Sequence, residues 1–145
     1  MTIENLASFV RYCREIKDQG LVIFTNGFPA PLVQAFISRL DAELSASVRI
    51  LHWGDADVRG VEILSLVAQL CPSRMVGAHL MDRTFANAIR ELSPSEKETM
   101  SRIVSRCDSS STLAQKLIEK GIPVDFEQES TDPLSPTWLY TSAKN

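Results

Sequence analysis

The sequence predicts an α/β domain, a mostly parallel sheet of about four strands with helices on both faces. Short apolar runs, such as Leu21-Val22-Ile23-Phe24-Thr25 and Val48-Arg49-Ile50-Leu51-His52-Trp53, alternate with longer amphipathic segments. Each run is short and apolar on both sides, the pattern of strands covered on two faces. At 145 residues the chain can bury one proper core but not two comfortable ones.

The opening Met1-Thr2-Ile3 leaves room only for a stunted first strand. Asn5 is an N-cap for a helix over 5–17, with Leu6, Phe9, Val10, Cys13 and Ile16 on one face and Gly20 at the exit. A strand over 21–25 closes at Asn26-Gly27. Pro31 opens a second helix that turns Leu32, Val33, Phe36, Ile37 and Leu40 inward. Residues 48–53 form the next strand, 61–70 a helix ended by Cys71-Pro72, and 74–81 a further strand that Gly77 and His79 weaken. Asp82 caps a helix over 83–92. Ser93-Pro94-Ser95-Glu96 carries an N-cap, a proline at the first position and a glutamate three residues after the cap, starting a helix that runs to Cys107. Ser110 or Ser111 starts the last helix, which ends at Lys120-Gly121. Residues 122–126 form a short strand or extended segment, and 130–145 an irregular tail in which Trp138 and Leu139 dock on the body. The expected division is a domain over 1–130 and a tail over 131–145.

Composition narrows the function. The net charge of −3 and pI near 5.4 supply no basic excess for gripping nucleic acid, so any grip on DNA must come from metal ions or partner segments. Cys13, Cys71 and Cys107 lack metal-ligand spacing and read as free, mostly packed thiols of a reducing compartment. No apolar stretch reaches membrane-spanning length and no basic-then-apolar leader is present, so the expected location is cytoplasmic with no membrane partner.

The acidic pair Asp55 and Asp57, directly after a buried strand and Gly54, carries the chemistry. Two acids at the edge of a core need a positive partner, and Mg²⁺ is usually held by one or two carboxylates plus phosphate oxygens. Ligands of parallel α/β sheets bind beyond the C-terminal strand ends, where this loop lies. Alternatively the pair is a polar turn with one Asp capping the next helix. Glu4, if Thr2-Ile3 is a strand tail, lies at the same edge; otherwise it is a first-turn helix acid. Glu127 and Glu129 are late candidates for a second metal, or a solvated turn. Arg59 and Arg83 are candidate phosphate contacts. His52 and His79 read as packed against the sheet. P-loop, dinucleotide-glycine and nucleophile-elbow patterns are absent from the sequence.

Glu4-Asn5-Leu6, the strand end Asn26-Gly27-Phe28-Pro29 and the loop Trp53-Gly54-Asp55-Ala56-Asp57-Val58-Arg59-Gly60 resemble a Toprim domain. That fold occurs in primases, topoisomerases and overcoming-lysogenisation-defect nucleases. The closer resemblance is to the C-terminal Toprim domain of the JetD family, nuclease subunits of Wadjet plasmid-defence systems. It adds Leu80-Met81-Asp82-Arg83 and Glu127-Gln128-Glu129 in the same order, and departs at Val58-Arg59, where that group has Thr-His. The aspartate loop is also similar to that of the topoisomerase VI A subunit.

The resemblance implies a Mg²⁺-dependent (or Mn²⁺-dependent) DNA endonuclease. Glu4, Asp55 and Asp57 would be the catalytic metal ligands, with Glu127 or Glu129 at a second metal. Water activated by the metal would be the nucleophile. The implied partners are double-stranded DNA and other subunits of a defence complex, with a homodimer allowed. Two alternatives remain. One is a non-catalytic Toprim-like DNA-binding or assembly module. The other is a haloacid-dehalogenase-type phosphatase with Asp55 as nucleophile, which the arginine at 59 and the mid-chain position of the pair disfavour.

Overall fold

A two-residue strand forms the centre of the sheet. In the computed structural model, which describes residues 1–16, 20–81, 89–106, 108, 110–123, 128 and 131–136, β1 (Thr2–Ile3) pairs on both sides. It lies parallel to β2 (Ile23–Phe24) and to β3 (Ile50–Trp53), and β3 pairs in parallel with β4 (Val76–Ala78). The order is β2-β1-β3-β4, consistent with a Rossmann-like Toprim fold. The stunted first strand is thus fully used, with Thr2 and Ile3 both buried.

Parallel neighbours require crossovers. These are α1 (Leu6–Glu15), α2 (Pro31–Glu43) and α3 (Val58–Leu70). Two further helices, α4 (Pro94–Val104) and α5 (Ser111–Lys120), pack on each other and on α3. The core is split by the sheet. Ile3, Trp53, Tyr12 and Leu80 form one cluster beside α1, while Ile37, Ile50, Leu64, Met100 and Leu117 belong to the larger cluster under the other helices. Helices therefore cover both faces. None of the described helices is long and apolar enough to cross a membrane.

Caps lie where the side chains can make them. Asn5 Oδ1 accepts from the backbone N–H of Ala7 (2.7 Å) and Ser8 (3.3 Å). Ser93 and Glu96 form a reciprocal capping box. Gly121, at φ +85°, ends α5 in a conformation that a side chain would strain.

Four expectations are corrected. First, α1 is rotated from its expected face, because the large Tyr12 ring takes the core position against Trp53 (centroids 6.3 Å apart). Ser8 is buried with it, while Leu6 and Cys13 face outward, so Cys13 is not a packed thiol. Second, α2 buries Ile37 and Asp41 and leaves Leu32 and Phe36 exposed. Asp41 is drawn inward by Arg74, which donates to its Oδ1 at 2.6 Å and to the carbonyls of Asp41, Leu44, Ser45 and Val48. This guanidinium closes the end of α2 and the turn into β3. Third, Arg74 consequently lies in a loop and the strand expected over 74–81 is shorter. Fourth, the helix expected over 83–92 gives way to a strand at its end. Here β5 (Ile89–Arg90) pairs antiparallel with β6 (Ile122–Pro123) in a separate two-stranded sheet. Pro123, lacking an N–H, suits this short edge ladder. Asp82, Arg83, Cys107, Trp138 and Leu139 lie outside the described residues.

The Asp41–Arg74 pair is nearly solvent-free, with side-chain exposures of 3% and 6%. Burial pushes the Asp41 carboxyl up, but bonds from Arg74 and Ser73 more than offset this and hold it below its ordinary value of 3.8. Arg74→Met strands Asp41 and is expected to cost about 3–5 kcal/mol near neutral pH, read by urea unfolding. The pair's contribution is present above pH 3.8 and is lost as pH falls through the lower folded-state value, so the gap between variant and wild type closes in strong acid.

Candidate metal centre at the strand ends

The parallel register places the residue after β1 beside the residues after β3. Glu4 N–H donates to the Trp53 carbonyl at 3.0 Å, extending the ladder by one bond. Asp55 N–H in turn points at Glu4 Oε2, 3.4 Å away. From the other side, Gly27 N–H donates to the Glu4 carbonyl at 3.3 Å. The chain leaves β2 through successive positive φ angles at Asn26 (+57°) and Gly27 (+74°), a turn suited to these residue types. Glu4 is thereby fixed between two strand ends.

Two glycines let the acidic loop fold this tightly. A Cβ on Gly54 would lie 2.6 Å from Glu4 Oε2 and 2.8 Å from His52 Nε2, so only glycine lets the Glu4 carboxylate cross the loop. A Cβ on Gly60 would collide with the Asp55 carbonyl oxygen, where the loop folds over the first turn of α3. Asp57 caps that helix: its Oδ1 accepts from Gly60 N–H at 2.7 Å. The capping role weighed for one aspartate of the pair therefore falls to Asp57, and Asp55 is the one turned toward Glu4.

Charge is crowded here. Burial first, and then the neighbouring Asp55 and Asp57 carboxylates, push Glu4 up to about 7, against smaller lowering effects of the Asp55 N–H and Arg59. His52 supplies no compensating cation, because burial drops its ring to about 3 and leaves it neutral. Its Nδ1 bonds with Thr2 Oγ1 at 3.0 Å, and its Nε2 has no hydrogen-bond partner. Arg59 is exposed, with its guanidinium 5.4 Å above the Phe28 ring. An open groove of about 820 Å³ runs past Glu4, Asp55, Asn26 and Arg59.

Gln128 closes the site, and sequence reading passed over it for its acidic neighbours. It is fully buried. Its Nε2 donates to the Trp53 carbonyl at 3.0 Å and its Oε1 accepts from Asn5 N–H at 2.9 Å. Its own N–H donates to Asp55 Oδ1 at 2.6 Å. One amide thus ties the end of β3, the start of α1 and the exposed aspartate together. The available signal was a neutral amide between two acids, since only Asn or Gln offers a donor and an acceptor on one short fork.

Glu4 and Asp55 are brought together, Asp57 stands within electrostatic reach of Glu4, and Arg59 borders the same groove. Glu127, Glu129 and Arg83 lie outside the described residues. Among the described residues, no group of three or more His, Cys, Asp or Glu side chains is placed to hold a metal. The donors present still fit Mg²⁺ or Mn²⁺. They are hard oxygen ligands, and Mg²⁺ is usually held by one or two carboxylates, with water and phosphate completing its shell.

Because Glu4 ionises less readily folded than unfolded, it favours the folded state fully below about pH 4.5, and that contribution is lost as pH rises through about 7. Glu4→Gln keeps the shape without the charge. In metal-free buffer it is expected to flatten the pH dependence of thermal unfolding across this window. At about pH 8 it should exceed wild type by on the order of 1–2 kcal/mol, allowing for solvent screening. Superimposable pH profiles of the two proteins would contradict the crowding of charge at Glu4.

Comparison with known proteins gives one match. A family model described as "Wadjet protein JetD, C-terminal" matches residues 1–136. No curated protein matches the chain, and no solved structure does. A match over nearly the whole sequence, in a chain whose strand ends assemble the Glu4/Asp55 site, settles the family: the chain belongs to the C-terminal domain family of the Wadjet protein JetD.

Proposed function

We propose that this chain is a Toprim-type, Mg²⁺-dependent or Mn²⁺-dependent DNA endonuclease domain, related to that of the topoisomerase VI A subunit and acting within a cytoplasmic plasmid-defence complex. The observation that carries the reading is Glu4, a carboxyl pressed against Asp55 at the ligand edge of a parallel sheet and raised to about 7. Such an arrangement gains from a divalent cation and has no other evident use.

Glu4 and Asp55 are the principal ligands in this reading, with Asp57 offering the oxygen not used in capping α3, and Glu127 or Glu129 serving a second ion. A cation bound there supplies Lewis acidity toward a phosphodiester oxygen and lowers the pKa of water. The chain's own residues do the rest. Gln128 fixes the rotamer of Asp55 through its N–H and holds the two strand ends at constant separation. Arg59 presents a guanidinium to phosphate from the groove wall. The net charge of −3 gives double-stranded DNA little general attraction, so partner subunits, or a second copy in a homodimer, would bring the duplex to the site. That same acidity favours a second reading, a non-catalytic Toprim-like assembly module.

Nicking of supercoiled plasmid by the chain, alone and with the other subunits of its defence system, separates the two. With Mg²⁺ or Mn²⁺ present, Asp55→Ala is expected to lower the rate by roughly 100-fold or more, at or beyond the loss typical when a residue that merely orients a ligand is removed. Equal rates for wild type and variant, or no metal-dependent nicking from the assembled system, would leave the assembly-module reading.

A further inference from the structure

The arginines of this chain divide into two groups. Arg11, Arg39, Arg74 and Arg90 each engage a carboxylate, at 2.6–3.0 Å. Arg59, Arg102 and Arg106 have no carboxylate partner among the described residues, and all three are exposed. They also share a neighbourhood. Arg59 lies over the Phe28 ring, and Phe28 forms part of the wall of a cleft of about 200 Å³ between α3 and α4, with Arg102 and Arg106 on the same wall.

The two α4-side arginines are anchored without being neutralised. Arg106 donates to Oγ of the buried Ser65 at 3.0 Å, and Arg102 donates to Thr99 Oγ1 at 3.1 Å. Each keeps further N–H donors for another acceptor, since a guanidinium carries five. Phe28 is 42% exposed although it follows the fixed turn at Gly27, so an aromatic face is held open at the mouth of the carboxylate groove. Glu62 is the one acidic residue lining the cleft. Unneutralised guanidiniums on either side of an open ring match one ligand chemistry, phosphates spaced along a strand whose bases are free to stack.

We propose that Phe28, Arg59, Arg102 and Arg106 form a track for a single, unpaired DNA strand leading from the Glu4/Asp55 groove into the α3–α4 cleft. Phe28 stacks one base, while Arg102 and Arg106 take phosphates. The proposal rests on the nuclease reading for its choice of nucleic acid. It adds that the site engages a separated strand or frayed end rather than an intact duplex, because a ring face can stack only on a base released from its pair.

The test is fluorescence anisotropy with a 5′-labelled oligothymidylate and a blunt duplex of equal length, in EDTA so that nothing is cut, across a salt titration. Wild type is expected to bind the single strand more tightly than the duplex. Phe28→Ala should weaken single-strand binding roughly 10-fold while leaving the salt slope unchanged. The double variant R102A/R106A should flatten the slope of log K against log salt by roughly 1–1.5, and R102K/R106K should restore it. Thermal melts confirm that each variant is folded. Failure of wild type to prefer the single strand, variants that bind like wild type, or an acidic peptide bound in place of DNA would overturn the track. Absence of nicking with these binding effects intact would remove the nuclease reading alone. Nicking with the binding effects absent would remove the track alone.

Discussion

The parallel pairing of a two-residue strand with its neighbour is the constraint on which the rest of the structure depends. Thr2 pairs with His52 and Ile3 with Trp53, so the residues that follow them leave the sheet side by side. Burial of Ile3 against Trp53 and Tyr12 supplies the apolar attraction, and backbone bonds to β2 and β3 fix the register. A slip of one residue would turn Ile3 out of its cluster and carry Glu4 away from Asp55. Core packing and site geometry are therefore one requirement here.

Around that register the chain adds devices that force acids together against their own repulsion. Gly54 removes the Cβ that would block Glu4, and Gly60 lets the loop fold over α3. Asp57 spends one oxygen on its helix cap. Gln128, arriving from the far end of the sequence, satisfies Asn5, Trp53 and Asp55 at once. The crowded carboxylates are costly in the metal-free fold, as the raised Glu4 records, and a divalent cation would reverse the sign of that cost.

Features that depend on local chemistry were legible in the sequence. Asn5 and the Ser93/Glu96 pair cap as their side chains dictate, the apolar runs at β2 and β3 are strands, and the aspartate loop lies at the ligand edge. Features that depend on distant partners were not. The faces of α1 and α2 are set by Tyr12 finding Trp53 and Asp41 finding Arg74, and no periodicity within a helix encodes those choices. Strand β5 exists because β6 returns to pair with it. Gln128 belongs to the same class, since an uncharged side chain carries no local sign that two strand ends and an aspartate await it.

The central claim is that Glu4 and Asp55 form a divalent-cation site. Its most direct test is calorimetric titration of Mn²⁺ into the metal-free chain at about pH 8, for wild type and for the Glu4→Gln and Asp55→Asn variants. The account predicts saturable binding to wild type, weakened roughly 10-fold or more by either substitution, in keeping with losses known for groups that support metal ligands. No saturable binding, or binding that both substitutions leave unchanged, would contradict it.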